Sequence, residues 1–296
     1  LSGHTLGIRA DITPQVARID AHRMRSEGAS RLCYCGSVLH ARSTQPLASR
    51  NPLQIGAELF GHAGLDSDVE VIALMIATLH KAGADQELSL DLGHVGIFRG
   101  LMVDAGMTSA QQNEYQGMLQ RKALPEIERF LKTLDVDARV LELLAELPRL
   151  HGGIEVLAKA KVLFSDASED VLGAIAYLEE LAQRVAKRFP ELDLYFDLSE
   201  LRGYNYHTGI VFAAYTPVYG QALAKGGRYD DIGRDFGRAR PATGFSADLK
   251  TLVDLASLQI AQVSLVTAPA GEDAALLEKI NELRAQGVRV IQALSG

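Results

Sequence analysis

The stretch from Asp197 to Asp231, DLSELRGYNYHTGIVFAAYTPVYGQALAKGGRYDD, constrains the fold more than any other part of the chain. LYFDLSEL closes one strand, TGIVFAAY has the apolar, β-branched and aromatic make-up of a buried strand, and QALAKGG is a third that ends on two glycines. Between the first two lies RGYNYH, which places a guanidinium, two phenols, an amide and an imidazole in six residues. Read as extended backbone, it puts Arg202, Tyr204 and Tyr206 on one face and Asn205 and His207 on the other. In GGRY the glycines let backbone approach a small ligand closely, while Arg228 and Tyr229 add a charge and a ring. The alternative reading of the same residues is an amphipathic sheet edge with a solvated turn.

Earlier in the chain, LGIRADITPQVARIDAHRM reads as a strand, a turn and a helix, with Thr13 as N-cap and Pro14 as first helical residue. That corner would let the Asp11 carboxylate and the Thr13 hydroxyl face an amine, unless both simply cap. QIGAELF reads as a strand with Gln54, Gly56, Glu58 and Phe60 on one face, so that Gln54 and Glu58 can converge on one ligand. An amphipathic helix follows in HAGLDSDVEVIALMIATLHKAG, capped by Asp66 or Ser67 and stopped at Gly83, and ELSLDLGH alternates as a strand. From Ile97 to about Pro190 the pattern is almost wholly helical, broken at Pro125, Pro148, Gly152-Gly153 and Pro190. The last segment, from Gln262, reads as a β-α-β unit behind a linker near Leu258–Ala261.

A net charge of −7 with no long basic run advertises no polyanion partner, although a local basic patch can sit inside an acidic total. Cys33 and Cys35 are too few for a disulfide framework and read as buried, reduced thiols. His80, His94 and His151 stand alone, without a metal-ligand spacing, and no Gly-rich phosphate loop occurs. No apolar run is long enough to span a bilayer, and no signal peptide is visible. Beginning at Leu1 without methionine and ending straight after a strand pattern, the chain is expected to be part of a longer protein.

RGYNYHTGIVF followed by KGGRYDDI resembles the paired histidine signatures of class II histidyl-tRNA synthetases, and RADIT resembles the motif that holds the substrate's amine there. The block RLCYCGSVLHARSTQPLASRNPLQIGAELFG is similar to synthetase motif 2, and RARPATGFSADLKTL to motif 3. The resemblance implies an α+β fold: a class II synthetase-like antiparallel sheet flanked by helices over residues 1–258, a helical insertion at about 97–190, and the start of a C-terminal α/β domain at 262–296. It implies a histidine pocket made by Asp11, Thr13, Gln54, Glu58, Arg202, Tyr206, His207, Arg228 and Tyr229. In it Asp11, Thr13 and Gln54 hold the amine, Glu58 and His207 read the imidazole, and Arg202 takes the carboxylate. On the nucleotide side the family's pattern is gone. The phosphate-gripping arginine of motif 2 falls on His40, the next glutamate on Arg42, the first loop arginine on Ala48, and the motif 3 arginine on Thr251, with Asp248 nearby. A histidine cannot give phosphate the bidentate fork of an arginine.

A kept amino-acid half and a dismantled ATP half resemble the regulatory subunits of short-form ATP phosphoribosyltransferase, which perform no catalysis and use no cofactor. That resemblance implies a catalytic-subunit partner, self-association as a dimer within a hetero-octamer, histidine as effector, cytoplasmic location, and neither tRNA nor membrane as partner. An active histidyl-tRNA synthetase and a stand-alone histidine-binding adaptor are the other readings.

Overall fold

The computed structural model describes the chain apart from residues 1–2, 6, 43–48, 85–86, 202, 257–264 and 296. It divides into two compact units, Leu1–Ala256 and Ser257–Gly296. Among the described residues, the first unit holds an eight-stranded sheet made of β1 (Ser30–Ser37), β2 (Leu53–Phe60), β3 (Ser89–His94), β4 (His151–Gly152), β5 (Asp193–Asp197), β6 (Ile210–Thr216), β7 (Tyr219–Arg228) and β8 (Ala242–Asp248). The spatial order is β1-β2-β8-β7-β6-β3-β5-β4, and neighbours run antiparallel except for β3 and β5.

Side-chain alternation sets the two faces of this sheet apart. Ala57 and Leu59 of β2, Leu90 and Leu92 of β3, and Ile210, Phe212 and Ala214 of β6 enter one large core. Helices α2 (Leu65–Lys81), α3 (Val95–Asp104) and α8 (Glu169–Arg188) supply much of the rest of it, through Ile72, Met75, Ile76 and Leu79, through Ile97, Phe98 and Leu101, and through Ile175, Leu178 and Leu181. The intervening alternate residues, Glu58 and Phe60 on β2 among them, turn to the opposite face. There Phe60 packs with Ile12, Val16, Ala17 and Tyr229 in a smaller cluster under α1 (Thr13–Ile19). That second face is where the chemistry-bearing side chains gather.

The helical insertion comprises α3, α4 (Ser109–Gln120), α5 (Leu124–Leu131), α6 (Ala138–Glu146), α7 (Glu155–Leu163) and α8. It is not wholly helical, because His151-Gly152 forms β4 and pairs with Asp197 and Phe196 of β5. After β8 comes α9 (Leu249–Leu255), and the second unit is β9 (Leu265–Ala268), α10 (Ala274–Ala285) and β10 (Arg289–Gln292), the two strands parallel. Its own small core is Ala268, Ile280 and Val290. The linker expected near Leu258–Ala261 lies outside the described residues.

Local readings differ from the structure at several points. The described part of RGYNYH, from Gly203 on, is a turn, not extended backbone: Tyr206 and His207 donate their backbone N–H to the Gly203 carbonyl, and Gly203 has φ +64°. Alternation therefore fails there. Tyr204 packs edge-on to Phe98 at the main core, while Tyr206 stacks on Tyr229 across the other face. Thr13 is the first residue of α1 rather than its cap. The Asp11 carboxylate accepts the Thr13 N–H, which frees the Thr13 hydroxyl for another partner. Helix α2 is capped by Gly64 rather than by Asp66 or Ser67. Cys33 and Cys35 are free but exposed: they lie on the edge strand β1, where their spacing of two puts them on one face.

Candidate functional site

A cavity of about 300 Å³ opens on the second face of the sheet. Strand register builds its floor in two rows. Asp91, Ala213, Lys225, Ser246, Gly56 and Tyr34 align across β3, β6, β7, β8, β2 and β1, and Gly93, Val211, Gly227, Gly244, Glu58 and Leu32 form the next row. The corner before α1, Glu200 and the turn from Gly203 to His207 add the walls, with Asp11, Thr13, Glu200, Gly203, Tyr206 and His207 among the lining residues.

Glu58 is the most constrained group in the site. Its side chain lies over Gly244, where a Cβ would fall on the carboxylate. It accepts hydrogen bonds from the Thr13 hydroxyl at 2.8 Å, the Tyr34 phenol at 3.1 Å and the Tyr229 phenol. Burial pushes its carboxyl up to about 7, and the three donors oppose that shift without cancelling it. Burial beside the Glu58 charge also drives the Tyr229 and Tyr34 phenols well up, so both remain protonated donors. Glu58 is therefore a buried acceptor held near its ionisation point, able to take a cation or a ring N–H.

Gln54 fixes the neighbouring corner. Its amide N–H₂ donates to Asp11 Oδ1 at 2.8 Å, and its Oε1 accepts from the Ile12 backbone N–H at 2.9 Å. Asp11 thus stands as an exposed carboxylate at the cavity mouth, held by Gln54 and by the Thr13 N–H. His207 lies over Gly227, edge-on to Tyr206 at 5.3 Å between ring centres, and its Nδ1 is 3.1 Å from the Gly203 carbonyl oxygen. Gly227 has to be glycine, because a Cβ would sit 2.6 Å from both the His207 ring and the Ile210 carbonyl oxygen. Gly227→Ala should lower stability by about 1–3 kcal/mol in urea denaturation, through this overpacking.

The structure gives Arg228 a different place from the one expected. Its guanidinium turns to the other side of β7 and forms a buried ion pair with Asp68 at 2.9 Å, with further bonds to Ser67 and the His62 and Gly64 carbonyls. It does not line the cavity. The reason is α2, whose first turn brings a fully buried carboxylate beneath the β7 end. Arg202 lies outside the described residues. Asp11, Thr13, Glu58, Tyr206, His207 and Tyr229 are brought together, with Gln54 one contact behind.

Sequence reasoning passed over Tyr34, Asp91, Lys225 and Ser246, all on the cavity face. The signal for Asp91 was available, since a carboxylate between Leu90 and Leu92 in a strand must point away from the core they enter. Two further carboxylates, Asp197 and Glu200, line the far end, and Asp197 is answered by Lys122 at 2.7 Å.

On the side where the motif 2 and motif 3 arginines would stand, the residues present serve the backbone. Arg50 Nε donates to the His40 carbonyl at 3.1 Å. Asp248 caps α9 through the Lys250 N–H, accepts the Leu53 N–H at 3.0 Å, and accepts from the Thr251 hydroxyl. Residues 43–48, Ala48 included, lie outside the described part. Among the described residues, no group of three His, Cys, Asp or Glu is placed to hold a metal, and no helix is long and apolar enough to cross a membrane.

The antiparallel sheet, its helical insertion and the cavity at the Gln54–Glu58 strand define a class II histidyl-tRNA-synthetase-like protein, and the histidyl-tRNA synthetase family model matches residues 1–252. Residues 263–296 match the ATP phosphoribosyltransferase subunit HisZ C-terminal domain. The chain belongs to the family of ATP phosphoribosyltransferase regulatory subunits. It is 55% identical over 298 residues to the protein of that description from Alkalilimnicola ehrlichii, covering 100% of this chain and 74% of that one. It is 54% identical over 297 residues to the one from Thioalkalivibrio sulfidiphilus, covering 100% and 75%. A solved structure described as an ATP phosphoribosyltransferase regulatory subunit/histidyl-tRNA synthetase, from Bacillus halodurans C, is similar at a TM-score of 0.84 and 28% identity, over 97% of this chain and 74% of that one.

Proposed function

We propose that this chain is a non-catalytic regulatory subunit that binds free L-histidine in the sheet cavity. Joined to a short-form ATP phosphoribosyltransferase catalytic subunit, it makes that subunit active and sensitive to histidine, the end product of the pathway. The observation that carries the reading is Glu58, a buried carboxylate poised over Gly244 beside His207 and Tyr206, which suits an imidazole N–H. Asp11, steadied by Gln54, is placed for the amine at the cavity mouth. The non-catalytic part of this reading is supported by the other half of the site, where His40 and Thr251 stand in place of the family's phosphate-gripping arginines and Asp248 would repel a phosphate. In this reading the protein is cytoplasmic, dimerises within a hetero-octamer and has no tRNA partner.

Regulation then needs only linkage: if histidine binds the inhibited assembly better than the active one by about 1–3 kcal/mol, feedback inhibition follows. The test is phosphoribosyl-ATP formation by a short-form catalytic subunit, with and without the full-length protein, across a histidine titration. Stimulation that histidine reverses is expected. Absence of stimulation from a cognate catalytic subunit, together with histidine-dependent ATP–pyrophosphate exchange by the chain alone, would replace this reading with an active synthetase.

A further inference from the structure

Lys225 has no part in the site as derived so far. It lies on the cavity floor in the middle of β7, exposed to the cavity space, with Ala213 opposite it on β6 and Ser246 opposite it on β8. Both neighbours are too short to claim its ammonium. Lys225 makes no ion pair or side-chain hydrogen bond among the described residues, and it is the one lysine or arginine among the described lining residues.

The same cavity is lined by Asp11, Glu58, Asp91, Asp197 and Glu200. Asp197 is already answered by Lys122 and Ser199, and Glu58 by three hydroxyls. A ligand that carries only positive charge has no use for a lysine here. A zwitterion does: its amine goes to the carboxylate end and its anionic group to the cation. Glu58 and Lys225 stand two strands and one register row apart, roughly 12 Å across the sheet, a gap their side chains and one bound amino acid can fill.

We propose that Lys225, with the Ser246 hydroxyl opposite it, receives the α-carboxylate of the amino acid bound in the cavity, and so selects a free amino acid over analogues lacking that carboxylate. This rests on the histidine reading above, in which the synthetase resemblance gives the carboxylate to Arg202, and adds Lys225 as a second cation for it, a residue for which the histidine signatures give no role.

The test is calorimetric titration of the full-length protein with L-histidine and with L-histidinol, in which a hydroxymethyl group replaces the carboxylate. The wild-type protein should prefer L-histidine. Lys225→Met should weaken L-histidine binding by at least about tenfold, as expected for a charge-assisted bond, and leave L-histidinol binding unchanged or tighter. Lys225→Arg should keep the preference. Equal weakening of both ligands by Lys225→Met would mean that the lysine only offsets the acidic lining, and no weakening, or a wild type that does not distinguish the ligands, would also overturn the proposal. A wild-type protein that binds neither ligand would overturn the histidine reading itself, and this inference with it.

Discussion

Arg228→Met should destabilise the sheet unit by about 3–5 kcal/mol, read as a lower urea midpoint in far-ultraviolet circular dichroism. Arg228 is 5% exposed and its guanidinium reaches Asp68 with Nε at 3.1 Å and Nη2 at 2.9 Å. Its Nη2 also donates to the Ser67 hydroxyl at 2.8 Å, and its Nη1 to the His62 carbonyl at 3.2 Å. Asp68 is fully buried, so among the described residues methionine would leave only the Tyr177 phenol hydrogen-bonded to its carboxylate. The penalty comes mostly from that stranded carboxylate and less from the value of the pair itself. Arg228→Met combined with Asp68→Leu should therefore recover much of the loss. A single variant with an unchanged midpoint would show that the pair does not hold α2 to β7.

The ligand-free protein should also lose stability as pH rises from about 4.5 to 7, by roughly 3 kcal/mol, and change little from this cause above 7. Glu58 is the reason. Its carboxyl ordinarily titrates near 4.5 and is held up to about 7 by burial. Between those values the folded chain keeps a proton that the unfolded chain has released, so raising the pH favours unfolding. Glu58→Gln cannot ionise. Its thermal midpoint should lack this slope, and any loss from imperfect pairing with Thr13, Tyr34 and Tyr229 should be the same at every pH. A slope that survives the substitution would assign the titration to another group.

Much of the site was legible because strand alternation is a local rule. QIGAELF alone put Gln54 and Glu58 on one face, and the structure hangs the acceptor of the cavity from that face. RGYNYH was misread for the same reason, since alternation was extended into a segment whose Gly203 allows a left-handed turn. Arg228 could not be placed from sequence at all. Its fate depends on Asp68, far away in the chain, and nothing local to GGRYDD announces that carboxylate. Lys225 sat in plain view in QALAKGG, but its importance lies in what faces it across β6 and β8, which register alone decides. The cysteines show the limit of composition: Cys33 and Cys35 have the residue type of a core and the position of an open sheet edge.

The two-row register has a consequence for the order of folding. β3 and β6 lie side by side, yet the helices α3 to α8 separate them in sequence, and the bond from Tyr229 to Glu58 closes across 171 residues. Loop closures of that length are entropically slow to make and contribute nothing until they are made. The cavity can therefore exist only once the sheet is finished, whereas the insertion's own helices can form from local contacts. A chain whose cavity is formed is a chain that has completed its longest connections.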